Sequence, residues 1–174
     1  MLGLRRGTVR LVPYTTEWAR LFASERRLLV AALGGLALAV EHVGSTAVPG
    51  LCAKPILDIG VAVRDEADAA ACVVPLAGLG YEYLGARRGA GGHFFAKGAD
   101  ERRTHYIHVV AQAEPDWAAY LRFRDRLRAD ATARDEYARL KQDLAAAHAA
   151  DRARYTRQKA AFIQRILADT TAHE

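Results

Sequence analysis

Glu41-His42-Val43-Gly44-Ser45-Thr46-Ala47-Val48-Pro49-Gly50-Leu51-Cys52-Ala53-Lys54-Pro55-Ile56-Leu57-Asp58-Ile59 is the stretch on which the reading of this chain turns. Two apolar runs, residues 36–43 and 55–63, read as strands joined by a loop of small residues at 44–50. A strand repeats every two residues. Leu57, Ile59, Val61 and Val63 therefore share a core face, while Ile56, Asp58, Gly60 and Ala62 share the other. Gly44 frees the backbone to approach a ligand, and Ser45 and Thr46 add hydroxyls beside loop amides that can converge on phosphate oxygens. The Walker pattern GxxxxGK[ST] is absent, so this is no P-loop.

An aspartate in the middle of a strand is costly without a partner. Asp58 must be hydrogen-bonded, paired with Lys54 or an arginine, or bound to a cation. Lys54, just ahead of the strand, can instead hold a phosphate as a point charge. His42 precedes the Gly-Ser turn, where it either reaches a ligand as acid or base or ties the turn to the sheet. Glu41 alternates with His42, so the two cannot enter one pocket.

Outward from this stretch, the pattern predicts a short strand at 9–13 and a helix capped by Thr15 or Thr16 that ends near Gly34-Gly35. An Ala-rich helix at 65–79 closes at Gly80. Strands follow at 81–84, 93–97 and 104–110, the first two separated by a Gly-rich turn at 85–92. Beyond Pro115 no glycine occurs and the pattern is helical throughout. Trp117, Tyr120, Leu121 and Leu127, then Tyr137, Leu140 and Leu144, then Tyr155, Phe162, Ile163, Ile166 and Leu167 form successive apolar stripes. The expectation is one domain of 174 residues, with an α+β part over 1–112 and a helical subregion over 113–174.

Apolar residues make up 51% of the chain, but 36 of them are alanine, which favours helix. The net charge is +5: 7 basic against 4 acidic residues over 1–60, 6 against 6 over 61–112, and 12 against 10 over 113–174. No segment is a dense basic block, so the charge permits an anionic ligand and does not call for nucleic acid. No uncharged run exceeds the 13 residues of 28–40, which is too short to span a bilayer. The N-terminal residues lack a signal-peptide core, so a cytoplasmic protein with no membrane partner is expected. Cys52 and Cys72 show neither zinc nor disulfide spacing and read as small buried thiols.

The run HVGSTAVPGLCAKPILDI closely resembles the signature of the GrpB family of small bacterial proteins, which also occurs fused to dephospho-CoA kinases. The resemblance spans nearly the whole chain. It includes Pro13-Tyr14 with Trp18, the strand Arg103-Thr104-His105-Tyr106-Ile107-His108-Val109, and the helix Phe123-Arg124-Asp125-Arg126-Leu127-Arg128. In the tail it includes Tyr137 with Leu140-Lys141, and Tyr155 with Lys159 and Phe162-Ile163. It implies a small mixed sheet of the polymerase beta-like nucleotidyltransferase type with flanking helices. There Gly44-Ser45 would precede a strand whose Asp58 holds a divalent ion, magnesium or manganese ahead of zinc. That superfamily uses Asp-x-Asp for phosphoryl transfer, whereas this chain has Gly60 two residues beyond Asp58. The later strand offers only His105 and His108. His108 shares a face with Thr104 and Tyr106 and is the expected functional histidine, with Asp58 as its catalytic and metal-binding partner. His105 is the expected structural one. An Asp-His pair suits manganese or zinc better than magnesium, or holds no metal.

The implied function is binding of a nucleotide or phosphorylated small molecule by His42, Gly44, Ser45, Thr46, Lys54, Arg103 and Arg124, with transfer of a nucleotidyl group. Arg122, Arg126 and Arg128 fan around their helix, and Arg124 is the one expected at the site. The alternative is a non-catalytic nucleotide-binding or small-ligand-binding regulatory domain that has lost the metal carboxylates.

Overall fold

The computed structural model describes residues 1–86 and 92–171. Helix α1 (Glu17–Leu33) leads into β1 (Ala39–Val43), and β2 (Leu57–Val63) into α2 (Glu66–Ala71) and α3 (Val73–Gly78). Strands β3 (Tyr81–Ala86), β4 (His93–Lys97) and β5 (His105–Ala111) follow, then α4 (Pro115–Ala129), α5 (Ala131–Ala147) and α6 (Arg152–Thr171). The five strands form one mixed sheet in the order β1-β2-β5-β4-β3, in which only β2 and β5 run parallel.

The parity of β2 is as expected. Leu57, Ile59, Val61 and Val63 are fully buried. The last three join Val40, Phe95, Ile107 and Val109 beneath Leu29 and Leu33 of α1 and Ala69, Cys72 and Leu76 of the α2–α3 segment. Each such side chain contributes roughly 1.5–3 kcal/mol by leaving water. The opposite face carries Asp58, and helices α4 to α6 gather around that side. Val48 and Leu51, from the loop after Ser45, pack with Leu127, Tyr137 and Ile166, so the helical tail is built onto the loop it closes over.

Several expected boundaries move, each for a local reason. Residues 9–13 form no strand: Val12 alone bridges Ala53, and Pro13 has no N–H to extend the pairing. Gly34–Leu36 is a 3-10 turn, which delays β1 to Ala39. Pro55 likewise postpones β2 to Leu57. The Ala-rich helix is two helices meeting at Cys72, because Pro75 cannot donate to the carbonyl of Ala71. Asp65 caps the first of them by accepting from Asp68 N at 2.9 Å. At α1 the Thr16 side chain makes no capping bond, and Thr15 Oγ1 accepts from Glu17 N at 3.3 Å. Most of the expected Gly-rich turn, residues 87–91, lies outside the described residues.

Strand β1 is an edge, and an open edge invites pairing with another chain. Two of its carbonyls are occupied by arginines: Arg26 Nε donates to Val40 O at 3.2 Å and Arg124 Nη1 to His42 O at 3.1 Å.

Candidate functional site

The site begins where β1 hands the chain to β2. Gly44 has φ +67°, and a Cβ there would lie 2.8 Å from Asp58 Oδ2 and 3.0 Å from Asp58 Cβ. Glycine is required on both counts: the backbone is left-handed and it passes directly over the aspartate. The chain then makes one 3-10 turn, Ser45–Ala47, in which Ala47 N donates to Gly44 O and Val48 N to Ser45 O, both at 3.2 Å. Those two amides are thereby withdrawn from any phosphate. The Ser45 hydroxyl instead meets the hydroxyl of Tyr137.

The antiparallel register sets Val43 opposite Asp58 and Glu41 opposite Gly60, so Glu41 and not His42 lies on the Asp58 face. His42 is on the core side. It stacks on Phe22 at 4.7 Å between ring centroids, and its Nε2 is 2.9 Å from Thr46 Oγ1. Burial pushes its pKa down to about 4, so the ring is neutral at ordinary pH. Of the two roles open to His42, it has the structural one, and Thr46, buried against it, is turned away from any ligand.

Asp58 and His108 do converge, with Oδ1 3.8 Å from Nε2, and Tyr120 Oη lies 3.4 Å from the other nitrogen of His108. Phe94 and Tyr120 pack their rings against His108 at 5.1 and 5.2 Å. His105 is on the opposite face beside Tyr81, as parity requires. Burial pushes the Asp58 carboxyl upward, but His108, Lys54 and Lys159 outweigh it and hold the pKa below its ordinary value. Asp58 is therefore an ionised carboxylate among cations.

Those cations come mostly from the tail. Lys54 Nζ and Lys159 Nζ lie 5.8 and 4.6 Å from the centroid of one ring, Tyr155. Lys141 Nζ lies 4.8 Å from the Tyr137 ring and donates to Cys52 O. Arg152 Nη1 donates to the hydroxyl of Tyr106, which pairs with Asp58 across β2 and β5, at 3.0 Å. Burial pushes the lysines down, Lys54 and Lys159 to about 8 and Lys141 to about 7; Arg152 lowers the first two further and Asp58 opposes it. Lys54 and Lys159 thus stand near Asp58, with Arg152 acting on both lysines and Lys141 acted on by both.

The two arginines expected at the site are committed elsewhere. Arg103 donates to Glu82 Oε2 at 2.6 Å, to Asp100 Oδ1 at 2.5 Å and to Gly98 O at 2.9 Å. Arg124 donates to Glu41 Oε2 at 2.7 Å and grips Asp125 with two bonds of 2.7 and 3.0 Å, so it straps α4 to β1. Three of the five Arg103 donors and four of the five Arg124 donors are thereby engaged, which holds both guanidinium groups on their own carboxylates.

The donor set does not fit the expected divalent ion. A Cβ on Gly60 would lie 3.1 Å from Trp117 Cζ3, so α4 fills the space a second strand carboxylate would need. Among the described residues no group of three or more His, Cys, Asp and Glu side chains is placed to hold a metal. Of the carboxylates on this face, Glu41 is held by Arg124, and Asp58 is answered by His108, Lys54 and Lys159.

The lysines and tyrosines of the tail were not singled out as site residues from the sequence. A signal was present, because Tyr137-x3-Lys141 on α5 and Tyr155-x3-Lys159 on α6 repeat one spacing that sets a lysine one turn from a tyrosine.

A family model described as GrpB protein matches residues 8–169. The chain belongs to the GrpB family. It is 36% identical over 171 residues to the glutamate-rich protein GrpB of Alkalihalophilus pseudofirmus, covering 96% of this chain and 98% of that one. It is 39% identical over 160 residues to UPF0157 protein BH1888 of Halalkalibacterium halodurans, covering 92% and 81%. The crystal structure of conserved protein GrpB from Enterococcus faecalis overlays with a TM-score of 0.85 at 32% identity, over 95% of this chain and all of that one, so the sheet and helices described above are the GrpB fold. A cytoplasmic RNA terminal U-transferase overlays on 75% of this chain and 42% of its own with a TM-score of 0.44 at 16% identity. A dephospho-CoA kinase of Mycolicibacterium paratuberculosis is 42% identical over 84 residues, which are 47% of this chain and 21% of that protein.

Proposed function

We propose that the groove beside Asp58 binds a nucleotide or another small phosphorylated molecule, and that it does so as a non-catalytic binding site without a pair of resident metal ions. One observation carries this reading: Lys54 and Lys159 act on Asp58, Arg152 acts on both of those lysines and Lys141 lies within their reach, so four cations gather near one carboxylate, with Lys54 and Lys159 pushed down to about 8 and Lys141 to about 7. Buried charge without a counter-charge is costly. A phosphate supplies several negative oxygens at once and restores the balance. Ser45, half-buried at the turn over Asp58, adds a hydroxyl, and the buried Tyr155 ring backs Lys54 and Lys159. Transfer through two divalent ions calls for carboxylates that Gly60 and Trp117 displace.

The test is titration calorimetry of the full chain with ATP and with dephospho-CoA, the compound named by one group of relatives. Either ligand should bind, and Lys159→Ala should weaken it by about tenfold to a hundredfold, the worth of one charge-assisted hydrogen bond. Absence of binding by both would overturn the proposal. Pyrophosphate release from ATP with Mg2+ or Mn2+ that disappears in Asp58→Ala would replace the binding role with nucleotidyl transfer.

A further inference from the structure

A shallow cavity of about 560 Å³, open to solvent, lies between the N-terminal segment and the start of α6. Three arginines line it, Arg6, Arg152 and Arg157, together with Gly7 and Asp151. Its wall is fixed where Val9 N donates to Ala149 O at 2.8 Å. The one acidic lining residue, exposed Asp151, is engaged at the start of α6, where its Oδ1 accepts from Arg154 N at 2.9 Å. Arg157 makes no hydrogen bond or ion pair among the described residues, and Arg6 shares Asp100 at 3.4 Å in a contact exposed on both sides. Such an exposed pair is worth little and exchanges readily for a better anion.

Arg152 joins this cavity to the groove. It lines the cavity, its Nη1 donates to the Tyr106 hydroxyl, and its guanidinium carbon sits 4.9 Å from the centre of the Tyr106 ring. Tyr106 pairs with Asp58 across the sheet. Arg152 is also close enough to Lys54 and Lys159 for its charge to act on both. A cationic path therefore runs from Lys159 through Arg152 to Arg6 and Arg157.

We infer that the ligand of the groove is elongated and carries a second phosphate group, which seats in this cavity between Arg6 and Arg157 while Arg152 lies between the two phosphates. The inference rests on the binding role proposed above and adds its ligand class: a nucleoside with phosphates at two separate positions, not at one. The contacts are charge-assisted and directional, which arginine supports better than lysine.

The test compares 5′-AMP with adenosine 3′,5′-bisphosphate by titration calorimetry, on the natural chain and on an Arg6→Ala/Arg157→Ala double variant. The natural chain should bind the bisphosphate about tenfold more tightly or better. The variant should bind AMP as before and lose most of that preference. Equal affinity for both nucleotides in the natural chain, or an unchanged preference in the variant, overturns this inference and leaves the groove's binding role standing. If neither nucleotide binds the natural chain, this inference falls, and the titrations with ATP and dephospho-CoA decide the groove reading. Tighter binding of a short oligoribonucleotide, with affinity falling steeply as salt rises, would overturn it in favour of nucleic acid along the same cationic path.

Discussion

The two faces of the sheet each hold a cluster of buried charge, and the clusters are built on opposite principles. Under α1, Glu25 accepts from Tyr81 Oη at 2.9 Å and from Lys97 Nζ at 2.8 Å. One carboxylate answers one ammonium there, with a phenol and the neighbouring His105 beside them. Burial pushes the Glu25 carboxyl upward, but Lys97 and Tyr81 reverse the shift and keep it ionised. Across the sheet, Lys54 and Lys159 act on Asp58, with Arg152 and Lys141 beside those lysines. A balanced cluster fastens α1 to β3 and β4 and needs nothing more. An unbalanced one keeps the cost of its buried positive charge. On the binding role proposed above, that difference is what would separate a structural polar network from a site for an anion when the residue types alone look alike.

The comparison predicts opposite outcomes for removing one charge on each face. Glu25→Ala strands Lys97 and orphans the Tyr81 hydroxyl. Losing one partner of a buried pair costs about 3–5 kcal/mol, and because Lys97 is partly exposed we expect about 2–3 kcal/mol here. Urea denaturation should show this as a lower midpoint with an unchanged slope. Lys159→Ala should leave the midpoint where it is or raise it while weakening nucleotide binding. A large loss of stability in Lys159→Ala would erase the distinction between the faces.

Gly44→Ala tests how closely the loop and Asp58 are fitted. The new methyl would require a left-handed backbone from alanine and would press on a carboxylate 2.8 Å away. The backbone term alone is about 1–2 kcal/mol, and the contact adds to it, so a loss of about 2 kcal/mol in denaturation is expected. Gly35→Ala is the control. A Cβ there meets nothing within 4 Å and its φ lies outside the left-handed range, so stability should change by less than about 0.5 kcal/mol. Equal losses at both glycines would mean that the Asp58 contact does not set the loop.

Alternation made one face of this molecule legible and left the other half-read. Parity along β2 and β5 assigned Leu57, Ile59, Val61 and Val63 to the core, Asp58 to the far side, and His105 and His108 to opposite faces, because strand periodicity is local. Parity along β1 was equally available. Asp58 and Val43 are register partners, so Glu41 had to face the groove and His42 the core, but only the register fixes this. Arg103 and Arg124 looked like free cations, yet a carboxylate stands within three residues of each, at Asp100 and Asp125, and both arginines close on it. Lys141 and Lys159 come from helices more than 80 residues beyond Asp58 in sequence, so only the packing of Tyr137 and Ile166 on Val48 and Leu51 brings them to the site. Trp117 over Gly60 is likewise a tertiary fact: the sequence offers a missing carboxylate, and the fold supplies the indole that replaces it.

The smallest expected effect, read per pH unit, is also the most diagnostic of the load on the groove. Burial pushes Lys141 down to about 7, against an ordinary value near 10.5 in the unfolded chain. Between those two values the unfolded chain holds a proton that the folded chain has released, so stability rises with pH across this window. Below about pH 7 both states are protonated and the folded state carries the full cost of the buried charge. Lys141→Met removes that cost but leaves Cys52 O without its donor, a loss of about 1–3 kcal/mol. The two partly offset, and a net gain of about 1–3 kcal/mol is expected at pH 7. The discriminating measurement is the pH series: from pH 7.5 to 9.5 the natural chain should gain stability more steeply than the variant, by up to about 1.4 kcal/mol per pH unit for one proton. Parallel pH curves would mean that Lys141 is charged as easily in the fold as in water, and the unbalanced face would then be as neutral as its counterpart under α1.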